Sequence, residues 1–198
     1  MGLGHAIARN CIKFDEKKQD KTIINAFALL EQMEKNLNTF CMRIKEGYSW
    51  HFPELAKLIS DNETYTRLVA LIGNKANISK IDLDDLTALT GDESLSKKIV
   101  ERTQSSVGNT LNEVDEASLV DFAEYVIRHF DYKKDLQIYL RGQMQSVAPN
   151  LTSILGESIG AKLLTQSGGL SNLAKLPSST IQILGAEKAL FRAIRKKG

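Results

Sequence analysis

Apolar residues return at steps of four and three between Gln19 and Glu46, at Ile23, Phe27, Leu30, Leu37, Cys41 and Ile44, with Glu34 breaking the run and Met33 beside it filling the gap. A stripe this narrow predicts one long helix whose apolar edge fits a coiled-coil seam. Leu119, Phe122, Val126, His129, Leu136, Leu140 and Met144 repeat the pattern between Asp115 and Val147. At about 1.5 Å per residue this second helix would span roughly 50 Å. Between the two, the stretch from Gly47 to Pro53 is expected to end the first helix. The glycine frees the backbone, and Phe52, preceding a proline, is pushed out of the α region. Pro53 opens a short helix, and Asp61 or Asn62, Asp82 and Asp92 are the N-caps expected for three more, ending near Gly73, Gly91 and Gly108.

No alternating run is long enough for a strand, and the chain holds only three prolines, so the pattern predicts an all-α protein. Residues 1–18 are expected to be an N-terminal extension or linker. Residues 19–147 would form a long antiparallel coiled-coil arm with a helical tip at about 48–114. After Ala148 the text turns to small residues and glycines, with Pro149 and Pro177 each placed to open a helix, and a domain boundary is expected there. Residues 148–198 then make a second, compact helical domain.

With 42% hydrophobic and 25% charged residues the chain falls outside the disordered and fibrous classes. Neither a signal peptide nor an apolar run of about 18 residues occurs, which predicts neither secretion nor a membrane span. Cys11 and Cys41 form no CxxC pair and have no histidine at metal-ligand spacing, so they read as reduced thiols. The net charge of +2 is unevenly spread: residues 171–198 carry +5 and the rest of the chain −3. Positive charge gathered at one end is the footprint of a polyanion partner.

Candidate chemistry is mostly excluded by inspection. His5, His51 and His129 lie in no HExxH, HxE or cysteine-rich context. The run from Gly156 to Lys162 suggests a phosphate loop, but Ala161 stands where glycine is required and Leu163 where a hydroxyl must hold magnesium, so small-residue helix packing is the better reading. Gln166 to Leu170 could cradle an anion with backbone amides, although a glycine pair more often forms a helix C-cap and turn. Asp82, Asp84, Asp85, Asp92 and Glu93 crowd helix starts, where they favour the macrodipole. No catalytic residue, metal ligand or cofactor site is expected.

The last segment carries the one binding surface the residues themselves suggest. On a helix beginning near Ala186, one face holds Ala186, Ala189, Leu190, Ala193 and Ile194, expected to dock, while Lys188, Arg192, Arg195 and Lys196 share another. Gly185 would let a partner backbone approach the helix start, where free amides favour phosphate.

Three stretches together resemble the Nop-domain family: Gly2 to His5, Trp50 to Leu55, and Ala148 to the end. In the last, Gly156 and Gly160, Gly168 to Leu170, Leu173 to Lys175 and Gln182 to Arg192 all look like the family's text. Gly185 to Lys188 with Phe191 resembles the box C/D small nucleolar branch rather than the spliceosomal one. Asn38 to Arg43 and Arg195 to Gly198 lean towards one nucleolar paralogue within that branch. The resemblance also implies a fragment: the family's N-terminal, methyltransferase-binding domain would precede this chain, and its Nop domain would continue past the last helix. Gly47 departs from the family, whose members often carry a bulky aromatic there.

The resemblance implies a non-catalytic scaffold of box C/D ribonucleoproteins in the nucleolus, serving guide-directed rRNA 2′-O-methylation and pre-rRNA processing. Its RNA and protein contacts would come from Lys175, Gln182, Gly185, Ala186, Glu187, Lys188, Arg192, Arg195 and Lys196, facing a kink-turn RNA that carries its primary binding protein. Ile23, Phe27, Leu30, Leu37 and Ile44 would face a paralogous Nop subunit, and the RNA 2′-O-methyltransferase (fibrillarin) would bind through the domain outside this chain. The alternatives are a protein-only helical interaction module whose basic tail is solvated, and the spliceosomal member of the same family.

Overall fold

The computed structural model describes residues 2–11, 19–80 and 83–197, apart from the side chains of Asn10, Ala76, Ser79, Lys80, Gln104, Lys196 and Lys197. Among them every regular element is helical: α1 (Gly2–Asn10), α2 (Gln19–Ser49), α3 (Pro53–Leu58), α4 (Asn62–Ile72), a 3-10 helix (Lys75–Lys80), α5 (Leu83–Thr90), α6 (Glu93–Gln104), α7 (Glu113–Val147), α8 (Pro149–Leu155), α9 (Glu157–Ser167), α10 (Leu170–Lys175), α11 (Ser178–Ile183) and α12 (Glu187–Lys197). The all-α expectation holds, and α2 and α7 are the two long helices. None of the described helices is long and apolar enough to cross a membrane.

The chain divides into two compact units, Met33–Lys134 and the remainder, and both long helices run through the division. In the first unit α2 and α7 are antiparallel. Lys133 pairs with Glu34 at 3.0 Å, Phe40 meets Phe122 edge-on at 5.8 Å, and Gly47 lies against Leu119. Leu37, Cys41, Ile44 and Tyr48 of α2 share one core with Ala123 and Val126 of α7 and with Leu55, Tyr65, Leu68, Val69, Ile72, Leu86 and Ile99 from the short helices. A helix with one apolar face is stable only when that face is covered, and here the short helices and α7 cover it together. Arg67 of α4 bridges Glu63 and Asp131 at 3.0 and 2.9 Å. Such half-exposed pairs contribute little individually and serve mainly to set register.

Two glycines take roles other than those expected. Gly47 does not end α2, which continues to Ser49; the missing side chain instead admits Leu119, whose Cδ2 would lie 3.1 Å from a Cβ. The helix is stopped by Phe52, which is driven to φ −138° ahead of Pro53. Gly108 does not close α6, which ends at Gln104 with Ser105 as its C-cap. It is pressed against the His51 carbonyl, whose oxygen would be 1.8 Å from a Cβ. Asp61 and Asp92 cap α4 and α6 through the amides of Thr64 and Ser94, each at 2.8 Å. The Asp82 cap lies outside the described residues.

In the second unit, Pro149 occupies the first turn of α8, and Gly156, at φ +81°, links α8 to α9. Gly160 packs on Met144 of α7, whose Cε would be 2.8 Å from a Cβ, so the run resembling a phosphate loop is a helix-packing element. Ala161, Leu164 and Leu173 are buried there, as are Ile23, Phe27 and Leu30 of α2. The segment expected as an extension carries α1, which lies beside α10.

His51 is a structural histidine. Its Nε2 accepts the Lys75 amide at 2.8 Å, which leaves Nδ1 to donate to the Asn109 carbonyl at 2.7 Å. Burial lowers its pKa from the ordinary 6.5, and the Asn109 carbonyl only partly opposes this. The unfolded chain therefore takes up a proton at higher pH than the folded one, so this stabilisation is complete above about pH 6.5 and is lost as pH falls through the lower folded value. Thermal melts from about pH 7.5 to about pH 5 should show a falling midpoint over that window. In His51→Ala, two part-buried backbone groups lose their partners and a buried ring is removed, which should cost about 1–3 kcal/mol and flatten the pH dependence.

Candidate nucleic-acid interface

The segment from Gln182 to Arg195 is continuous and open. Gln182 lies in the last turn of α11, a turn through Gly185 at φ +82° follows, and α12 begins at Glu187 with the Ala186 carbonyl accepting from the amides of Ala189 and Leu190 at 3.0 Å. Lys188, Arg192 and Arg195 are exposed and form no ion pair with any described residue. Their spacing of four and three sets them on one face of the helix. Lys196 continues α12, but its side chain is outside the described set. Lys175 is exposed at the end of α10 and belongs to a different helix.

Two features of this segment bear on the contacts expected of it. The amide of Gly185 is already bound, donating to the Glu187 carboxylate at 3.0 Å, and that bond is the first cause of the lowered Glu187 pKa. The start of α12 thus holds its own anion, and a phosphate would have to displace it. The apolar face is also not docked within the chain. Leu190 and Ile194 are 39% and 59% exposed, and Phe191, at the border between this face and the basic one, is 62% exposed. Amphipathic spacing shows that a face gains from being covered, but not that the same chain covers it.

The five seam residues are placed differently from the partner surface expected of them. Ile23, Phe27, Leu30, Leu37 and Ile44 are at most 7% exposed, because this chain's own elements already pack on them. Side chains that a partner helix can reach from outside include Tyr125 and Tyr132 of α7, seven residues apart and 46% and 52% exposed. His129, at Nδ1, binds the Tyr125 carbonyl at 2.9 Å and lies tilted against its ring at 4.2 Å, a packed surface histidine.

The glycine pair after α9 has a role that local sequence does not reveal. Gly168, at φ +77°, is a left-handed C-cap. Gly169, at φ +141°, places the Leu170 amide 2.9 Å from Asp20 Oδ2, so the anion cradled by this turn is a carboxylate of α2. The partners are 150 positions apart, and no spacing rule connects them. No group of three or more His, Cys, Asp or Glu side chains among the described residues is arranged to hold a metal ion.

These features define an all-helical protein whose concentrated charge is a solvent-facing basic helix. Residues 29–198 match the Nop family, described as a snoRNA binding domain, fibrillarin, and the chain belongs to this family. The paralogue towards which Asn38 to Arg43 leans is the fifty-six-kilodalton one, and the comparison agrees. The chain is 47% identical to Nucleolar protein 56 of Saccharomyces cerevisiae and 46% identical to that of Schizosaccharomyces pombe, in both cases over its whole length and over 40% of theirs. Against Nucleolar protein 56 of Homo sapiens the identity is 44% over the whole chain and 33% of that protein. The chain thus spans a third to two fifths of the length of these curated relatives.

Gly169→Ala tests the Asp20 bridge. A Cβ there would lie 2.5 Å from Asp20 Oδ2, on a backbone that L side chains rarely adopt. It should destabilise the fold by about 1–3 kcal/mol in thermal or urea melts. Asp20→Ala, which removes one charge-assisted bond, should cost about 1.5–3 kcal/mol.

Proposed function

We propose that this chain is the coiled-coil and Nop portion of a non-catalytic scaffold in box C/D small nucleolar ribonucleoproteins, acting in the nucleolus. Its Nop portion binds a kink-turn RNA together with the primary protein on that RNA. The scaffold pairs with a paralogous Nop subunit and positions the 2′-O-methyltransferase, held through a domain outside this chain, for guide-directed rRNA methylation and pre-rRNA processing. The observation that carries the reading is α12, an exposed basic helix within a chain that matches a snoRNA-binding family. Residues 19–147 would be the arm and 148–198 the Nop domain, a boundary supported by the end of α7 at Val147 and the proline opening of α8.

The open apolar side of α12 favours a composite target over naked RNA. Lys188, Arg192, Arg195 and Lys196 would contact phosphate, because folded RNA hides most base edges. Leu190, Phe191 and Ile194, left uncovered here, suit the protein part of the same surface. Gln182, Gly185, Ala186, Glu187 and Lys175 would flank the contact. A protein-only module would use the apolar side alone.

Salt dependence separates these readings. Each lost phosphate contact flattens the log–log salt slope by about 0.7 to 0.9, so Lys188→Ala with Arg192→Ala should flatten it by roughly 1.4 to 1.8 in mobility-shift titrations. Circular dichroism should be unchanged, and the RNA–protein complex should bind much more tightly than naked RNA. An unaltered slope and affinity would favour the protein-only module.

The buried seam redirects the pairing test. Leu30→Asp or Leu37→Asp should unfold the chain, since each buries a charge in a packed core. Tyr125→Asp with Tyr132→Asp should leave the melting temperature within a few degrees of the parent, because both side chains are half exposed, while removing co-purification with the paralogue.

A further inference from the structure

The stretch from Trp50 to Leu55 is family-like text that RNA binding leaves unused. His51, Phe52 and Leu55 are almost wholly buried and explain themselves by packing, whereas Trp50, the chain's one tryptophan, is 77% exposed. The fold does not need this ring, yet it holds the ring's backbone firmly. The Asn109 amide donates to the Trp50 carbonyl at 3.0 Å, the Asn109 carbonyl accepts from His51, and Gly108 lies against the next carbonyl along. An aromatic side chain presented from a clasped backbone loses little freedom when it binds something.

Trp50 stands between two grooves. The larger, about 580 Å³, is bounded by Trp50, Asn109, Asn112, Asp115, Leu119 and Phe122; the smaller, about 330 Å³, runs between Trp50, Pro53 and Val107. The larger volume suits a few inserted side chains. Val107 is also well exposed, so the apolar surface continues across both. Among the described residues lining the larger groove, Asp115 is the one Asp, Glu, Lys or Arg, and neither it nor the exposed Glu113 two residues before it is ion-paired to a described residue.

We propose that Trp50 and its two grooves are a docking site for a short segment of a partner protein that carries an apolar residue beside lysine or arginine. The apolar residue fills the larger groove against Leu119 and Phe122. The cation lies over the Trp50 ring and opposite Asp115, an arrangement that both the aromatic face and the carboxylate favour. The same carboxylate repels phosphate, so the site is chemically distinct from α12 and excludes RNA.

The single tryptophan makes the test direct. A random dodecapeptide display library is selected on the purified chain, with Trp50→Ala as the counter-selection. Tryptophan-free synthetic versions of the recovered peptides are then titrated against the parent chain. The expected peptides combine an apolar residue with lysine or arginine, shift Trp50 emission to the blue and shield it from acrylamide. They should bind Asp115→Lys about tenfold more weakly or worse, with circular dichroism unchanged. The proposal is overturned if no peptide is recovered above the Trp50→Ala background, if recovered peptides carry no excess positive charge, or if Asp115→Lys binds them equally well. Shielding of Trp50 by a single-stranded RNA dodecamer, strengthened in Asp115→Lys, would overturn it as well, by making the groove a nucleic-acid site.

Discussion

Everything else in this chain depends on covering one face of α2. A 31-residue helix with an apolar stripe is only marginally stable alone in water, and the stripe from Leu37 to Tyr48 is covered by α7 and by the helices between them. That contact joins residues more than seventy positions apart, as in the approach of Phe40 to Phe122, so the intervening helices must fold into a space already set by its two ends. Gly47 and Gly108 are two of the places where that space is tight. One lies close against the Leu119 side chain, and the other admits the His51 carbonyl and leaves no room for a side chain.

The two candidate surfaces are held by different means. Trp50 is presented by backbone bonds that cross between distant segments, with the buried His51 imidazole joining Lys75 to Asn109. The segment leading into α12 is shaped locally, by a left-handed glycine and by a carboxylate two residues further on. A surface built from local bonds with an uncovered apolar side can adapt to a composite partner. One clasped from both sides suits a partner that inserts into it.

Membership of a snoRNA-binding family and a basic terminal helix point in the same direction, yet the geometry changes what each residue is asked to do. Glu187 already satisfies the amide that a phosphate would seek, so in the proposed reading the weight of RNA contact would fall on the side chains of Lys188, Arg192 and Arg195. The seam residues are occupied at home, so in the proposed reading subunit pairing would fall to the outer side of the arm.

What the sequence by itself determined is what depends on short-range periodicity and stereochemistry. The two long helices were legible from four-three spacing, the stop at Phe52 from the proline after it, the caps at Asp61 and Asp92 from their side chains, and the basic face of α12 from the spacing of Lys188, Arg192 and Arg195. The resemblance to the Nop family was legible too, because its closing block is long and specific. What only the tertiary structure decided is where faces and turns find partners. Glycines 47 and 108 read locally as helix ends but serve as close-approach points, and Asp20 reaches across 150 positions to the Leu170 amide. Ile23, Phe27, Leu30, Leu37 and Ile44 are covered by their own chain, while Leu190, Phe191 and Ile194 are not. Periodicity states that a face is apolar, and a proline states where a helix must stop. Which surface covers that face is settled by contacts between residues far apart in the chain, where burial and steric fit act and local pattern carries no information.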